Sequence, residues 1–111
     1  MSGKSLDQMR AASAWRYVQR KSGEYKNLAK SLPALIMSNG LMQSLAFLKA
    51  KGKEHHTDLG NQICKYVLQV DTLEEGLEKL HSMKGSQYRR ATEEAIEVLK
   101  WIRQLADAVI E

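Results

Sequence analysis

The 111 residues carry 17 lysines and arginines against 13 acids, a formal net charge of +4, with one cysteine and one proline. That length suits one domain with its own core, and a lone cysteine excludes an internal disulfide, so a reducing, cytoplasmic setting is expected. The start is short and polar, unlike a signal peptide, and no apolar run approaches the roughly 20 residues that cross a bilayer, so no membrane contact is expected.

Scarce proline and abundant Ala, Leu, Lys, Glu and Gln predict an all-α chain. The first helix is expected from about Ser5 to Lys21. Ala11, Ala14, Trp15 and Val18 follow the spacing of a buried stripe, with Trp15 filling the volume the alanines leave. A second stripe holds Arg10, Ser13, Arg16, Tyr17 and Arg20, extended by Lys21. Guanidinium forks around a tyrosine suit a phosphate backbone. The plainer alternative is that these arginines pair with acids from the second half of the chain.

Ser22-Gly23 breaks that helix, and a second begins near Glu24 with Tyr25, Leu28, Ala29 and Leu32 inward and Lys26 and Lys30 outward. Pro33 deletes the amide that would bond the carbonyl of Ala29, which predicts a kink or a restart. Ser31–Gly52 is the most apolar stretch. Leu32, Leu35 and Ile36 share one face, Ser38-Asn39-Gly40 supplies a left-handed reversal, and Leu41, Leu45 and Leu48 line an outgoing helix. This hairpin is expected at the middle of the bundle. Lys49 and Lys51 close the third helix, where they favour its dipole or lengthen a basic surface.

Lys53–Thr57 reads as a loop, and Thr57 or Asp58 as the cap of a fourth helix with Leu59, Ile63, Tyr66 and Val70 inward. Cys64 beside them reads as a small buried hydrophobe. His55 and His56 point to different faces and no other Cys or His sits at ligand spacing, so no metal is expected. Asp71-Thr72-Leu73-Glu74 reads as a capping box with Asp71 as N-cap and Glu74 at N3. The fifth helix then buries Leu73, Leu77 and Leu80, with Gly76 a cost inside it. Gly85 ends it and Ser86 caps the sixth, which runs to about Ile110. Its stripe is Tyr88, Ala91, Ala95, Leu99, Ile102, Ala106 and Val109. Val98, Trp101 and Leu105 widen that arc enough to be wrapped by two helices or to touch another subunit. The expected architecture is a compact single-domain bundle of five or six helices over residues 1–111.

Charge is polarised along the chain. Residues 1–53 hold ten basic residues and two acids, a net of +8, and residues 54–111 hold seven against eleven, a net of −4. Such a basic half attracts a polyanion, or is simply a solvated surface. No Gly-rich phosphate loop, nucleophile in a recognisable setting or motif-placed His–carboxylate pair occurs. Neither an enzyme nor a cofactor is therefore expected.

Several runs carry a further resemblance. They are Arg10-Ala11-x-x-Ala14-x-x-x-Val18, then Tyr25, Leu32-Pro33-Ala34-Leu35-Ile36, Asn39-Gly40-Leu41 and Leu45-Ala46-Phe47-Leu48. Tyr88-Arg89-x-Ala91-Thr92-x-x-Ala95 and Leu99-Lys100-Trp101 complete the set. Over nearly its whole length the sequence resembles the small all-helical subunit of type III-B CRISPR effector complexes, the Cmr or RAMP-module family. The resemblance implies a subunit without an active site, whose copies stack inside a helical ribonucleoprotein and contact the guide–target duplex in antiviral defence. The implied partners are guide and target RNA, the backbone and large subunits, and further copies of the chain. RNA cleavage would belong to the backbone subunits and cyclic oligoadenylate synthesis to the large subunit. Base pairing would set specificity, leaving this chain a salt-sensitive reader of the backbone. The candidate RNA-binding residues Arg10, Arg16, Arg20, Lys21, Lys49 and Lys51 come from the charge pattern and not from a family motif. Two other readings fit the residues. One is a helix-turn-helix DNA-binding protein with Leu41–Lys51 as recognition helix. The other is a protein-only adaptor docking through the sixth-helix arc.

Overall fold

The longest helix organises the others. The computed structural model describes residues 3–111. Its helices are α1 (Leu6–Val18), α2 (Gly23–Asn39), α3 (Leu41–Lys51), α4 (Glu54–Ile63), α5 (Leu73–His81) and α6 (Gly85–Val109), with a π-helical turn at Cys64–Leu68 after α4. No strand occurs among the described residues, so the chain is all-α as the composition predicts. Both α1 and α2 pack along α6, while α3 packs against α2, α4 and α5. The wide α6 arc is thus wrapped by two helices. Ala91, Ala95, Val98, Leu99, Ile102 and Ala106 are its buried residues. Each of the larger three contributes about 1.5–3 kcal/mol by leaving water. They join one continuous core with Leu32, Ile36, Leu41, Leu45 and Leu48 of the α2–α3 hairpin.

The hairpin turns as its sequence demands. Gly40 has φ 91°, and a Cβ there would stand 3.3 Å from the phenol oxygen of Tyr88. Gly40 has no side chain with which to cap α3. Tyr88 supplies the missing acceptor from α6, taking a hydrogen bond from the Met42 amide at 3.1 Å. Of the kink or restart expected nearby, the restart does not occur: α2 continues through Pro33 from Gly23 to Asn39. Leu32 and Ile36, on either side of the proline, are both buried in the core.

Other departures are local and have physical causes. α1 ends at Val18 because Gln19 is extended and Arg20 takes φ 61°. Trp15 is 51% exposed and not in the core. Ala14, about 100° away around the cylinder, faces α6 in its place. Lys53–Thr57 is no loop. Lys53 is the N-cap of α4, and Thr57 and Asp58 lie within the helix. The π-turn changes the helical period, so Leu68 is buried while Tyr66 and Val70 are only half-buried. Val109 is exposed and Ile110 takes the inward place at the end of α6. Gly85 opens α6 instead of ending α5, and the Gln87 carbonyl accepts from the Lys84 amide at 3.4 Å.

The cap of α5 sits one residue later than expected. The Thr72 hydroxyl accepts from the Glu75 amide at 3.1 Å, and the Glu75 carboxylate accepts from the Asp71 amide at 3.1 Å. Thr72→Ala should therefore lower stability by about 1 kcal/mol, while Asp71→Ala should change it little. Urea denaturation of the two variants distinguishes them. The reverse order would return the cap to Asp71.

Candidate nucleic-acid interface

Six residues separate Arg10 from Arg16, which turns them about 120° apart on an α-helix. Arg10 faces α6. Its guanidinium grips Glu94 with two hydrogen bonds, both at 2.7 Å, and its side chain is 14% exposed. The Glu94 hydrogen bond outweighs burial and holds the Arg10 pKa above its usual range. Asp7 continues this seam. Trp101 donates its indole N–H to the Asp7 carboxylate at 3.0 Å, and this bond, aided by Arg10, holds the Asp7 carboxyl below its usual range. Arg10 thus clamps α1 to α6.

Arg16 points to solvent. Its only described partners are its own helix, the Ala12 carbonyl at 3.5 Å and the Ser13 hydroxyl at 3.4 Å. Arg20 is also exposed, and among the described residues neither arginine makes an ion pair. Tyr17 is half-buried, and burial pushes its phenol pKa up. Lys21 binds Asp58 at 3.0 Å, while Lys26 and Lys30 reach Asp107 at 3.7 and 3.4 Å. The acidic half therefore engages Arg10 and Lys21 but leaves Arg16 and Arg20 open.

A cleft of about 320 Å³ separates the α1–α2 turn from the start of α4, lined by Arg20, Lys21, Glu24, Glu54, His55 and Asp58 among others. His55 and Glu54 directly follow Lys53, so the α3–α4 turn lies beside the arginine end of α1. Lys51 sits there over the Phe47 ring, 5.6 Å from its centroid. Lys49 faces the other way, toward Glu74 at 3.9 Å. Three carboxylates line the cleft itself. Arg20 and Lys21 are the cations that line it beside those carboxylates, while Arg16, Lys51 and Lys53 are exposed outside its lining. Sequence reading placed Lys53 in the lysine cluster that closes the third helix but not among the candidate contacts. It missed Trp15 as a surface residue.

The remaining reactive groups are structural. Burial pushes the Cys64 thiol up to about 12, which leaves no thiolate at neutral pH. No group of three metal-ligating side chains is assembled among the described residues, and no described helix is long and apolar enough to cross a membrane. His56 is buried with its Nδ1 lacking a hydrogen-bond partner. Burial first, then His55, Lys51 and Lys53, holds its pKa below the ordinary 6.5. The neutral ring is the one the fold accepts. Its stabilising contribution is complete above 6.5 and is lost as pH falls from there through the folded-state pKa. The urea midpoint should drop between pH 7.5 and pH 5.5, and less so in His56→Leu. Equal drops in both proteins would assign the effect elsewhere.

Comparison with known proteins accords with this fold. A family model described as CRISPR-associated protein (Cas_Cmr5) matches residues 6–109. The CRISPR system Cmr subunit Cmr5 of Thermus thermophilus is 39% identical over 89 residues, covering 80% of this chain and 77% of that protein. Its counterpart of the same description from Thermotoga maritima is 28% identical over 90 residues, 81% of this chain and 70% of that one. The crystal structure of a CRISPR-associated Cmr5 family protein from Thermus thermophilus superposes with a TM-score of 0.86 at 34% identity, covering 97% of this chain and all of that one. The chain belongs to the Cas_Cmr5 family of CRISPR-associated proteins, the small-subunit family its sequence resembles.

Proposed function

We propose that this chain is a non-catalytic, cytoplasmic subunit of a type III-B Cmr ribonucleoprotein in antiviral defence, folding as one domain and lending a cationic surface to the guide–target RNA. The observation that carries this reading is the pair Arg16 and Arg20, exposed and outside any ion pair among the described residues in a fold that engages Arg10, Lys21, Lys26 and Lys30. Lys51 and Lys53 extend the surface across the cleft. Of the six basic residues picked from sequence, Arg16, Arg20 and Lys51 are the contacts proposed here. Arg10 and Lys21 support them by tying α1 to α6 and the α1–α2 turn to α4, while Lys49 is an exposed lysine turned toward Glu74.

Guanidinium forks match phosphate oxygens, so such a surface grips a strand regardless of sequence and weakens with salt. Copies stacked in the assembly, beside backbone and large subunits that do the chemistry, multiply weak contacts into useful retention. The isolated protein should be a monomer or weak self-associator that binds RNA weakly and without sequence preference. Assembling the complex with and without this chain tests the reading. Its omission should speed target-RNA dissociation and leave guide-directed specificity unchanged. Unchanged dissociation across a salt titration, or tight sequence-specific binding by the lone chain, would contradict it. Nothing favours α3 as a recognition helix, since its exposed residues Gln43, Ala46, Phe47, Lys49, Ala50 and Lys51 include no arginine and one amide.

A further inference from the structure

Between Trp15 and Tyr25 the chain is held by bonds that regular helix does not supply. Three carbonyls at the end of α1 find partners beyond the α-helical ladder. Gln19 takes two of them, donating its side-chain amide to Trp15 at 2.9 Å and its backbone amide to Arg16 at 3.5 Å. The third, Tyr17, accepts from the side-chain amide of Gln62 on α4 at 3.2 Å. The carbonyl oxygen of that same Gln62 side chain accepts from the Tyr25 phenol at 2.5 Å. One half-buried glutamine therefore bridges the last turn of α1 and the first turn of α2. Tyr25 is only 1% exposed, so its end of the bridge is fixed. Asp58, one turn earlier on the same face of α4, adds the ion pair to Lys21 at 3.0 Å.

What the bridge encloses is a costly backbone. Arg20 takes φ 61°, a left-handed conformation that is unfavourable for any residue carrying a Cβ. Such a conformer persists only where its surroundings over-determine it. Gln69, the other described non-glycine residue with positive φ, uses the conformation inside the fold. Its side-chain amide donates to the Tyr66 and Val67 carbonyls at 3.2 and 3.5 Å. The Arg20 side chain makes no hydrogen bond or ion pair among the described residues, so its guanidinium stays available.

We propose that Gln62 is a positioning residue for the strand contact, holding the α1–α2 turn in the conformation that presents Arg16 and Arg20. This rests on the RNA-contact reading above and adds to it the part that keeps the surface ordered. With the bridge cut, the turn exchanges among backbone conformations and Arg20 leaves the left-handed one for part of the time. Apparent affinity scales with the population of the competent turn, so a turn intact one third to one tenth of the time binds about 3- to 10-fold more weakly.

Gln62→Met keeps an unbranched side chain and removes both hydrogen bonds. Wild type, Gln62→Met, Arg16→Glu/Arg20→Glu and the triple variant are each assembled into the complex, and target-RNA affinity is measured by filter binding at low salt. The free chains are melted, and the backbone NMR shifts of Arg20, which report its φ, are recorded in isotope-labelled protein. Gln62→Met should melt lower, move the Arg20 signals away from left-handed values and bind about 3- to 10-fold more weakly. On the double arginine background the same substitution should change affinity by less than about 2-fold, because the groups it positions are gone. A lower Tm with wild-type affinity makes Gln62 a structural prop and overturns the proposal, while a loss in the double arginine variant still upholds the RNA contact. Equal losses on both backgrounds mean that Gln62 acts through other groups, and they overturn it too. So do unmoved Arg20 signals. If Gln62→Met does not fold, Tyr25→Phe cuts the phenol half of the bridge alone. The Arg20 signals should then still move and affinity fall by about 2-fold, and no change in either overturns the proposal. A double arginine variant that binds like wild type removes the RNA contact itself and this inference with it.

Discussion

Reversing Arg16 and Arg20 to glutamate is expected to leave the bundle folded and to weaken target-RNA binding by the assembled complex about 10-fold or more. Neither side chain makes an ion pair among the described residues, so replacing them removes none, and the one local cost is the carboxylate that Arg20→Glu adds to the open cleft shared with Glu24, Glu54 and Asp58. Surface changes of this kind usually move stability by less than about 0.5 kcal/mol. Each lost guanidinium–phosphate bond costs on the order of 1–2 kcal/mol, and the new carboxylates add repulsion. Arg10→Glu is the informative contrast. It sets a third carboxylate against Glu94 and Asp7, which Arg10 now bridges at 2.7 and 3.4 Å. That variant should lose about 3 kcal/mol of stability and fail first as a folded protein. Filter-binding of the complex beside thermal melts of the free chain separates the two. Equal stability losses in both variants would remove the distinction between the clamp and the open arginines.

The second large effect is one of stability, and its sign decides between two views of Gly76. Helix propensity says that Gly76→Ala inside α5 should stabilise by about 1 kcal/mol. Packing says otherwise. A Cβ at Gly76 would collide with the sulfur of Cys64 and stand 3.1 Å from its Cβ, and both residues are buried. The π-turn carrying Cys64 must move or α5 must lift away. Overpacking of this kind costs about 1–3 kcal/mol. Gly76→Ala should therefore lower Tm by on the order of 10 °C. Removing the sulfur with Cys64→Ala should recover part of that loss, so the pair couples in a double-mutant cycle. A rise in Tm for Gly76→Ala alone would show that α5 and the π-turn are not in such close contact.

What the sequence reveals of this fold is what periodicity carries. Leu41, Leu45 and Leu48, or Ala95, Leu99 and Ile102, repeat at helical spacing and are buried as their pattern requires. The Gly40 reversal is written in its residue type. Trp15 is different, because an apolar residue beside Ala14 can fall on either side of the buried line, and only the approach of α6 decides. Asp71 and Thr72 are both good caps, and their order along the chain does not choose between them. Gly76 reads as a defect until Cys64 is seen against it. The division among the arginines lies furthest from sequence. Arg10 and Glu94 are 84 positions apart, and no local pattern shows that one guanidinium is clamped while its neighbour on the stripe is open. Charge asymmetry points to the basic half of the chain. Tertiary pairing selects which of its cations remain available.

The dependence of target-RNA affinity on salt tests the backbone-reading claim most directly. Each phosphate contact adds roughly 0.7 to 0.9 to the slope of log affinity against log salt concentration, the upper value applying to duplex. Complexes carrying Arg16→Glu/Arg20→Glu should show a shallower slope than wild type, by about 1.4 to 1.8 for each copy engaged. Parallel lines for the two complexes would mean that these arginines release no counterions on binding. Strand contact would then lie elsewhere on the assembly.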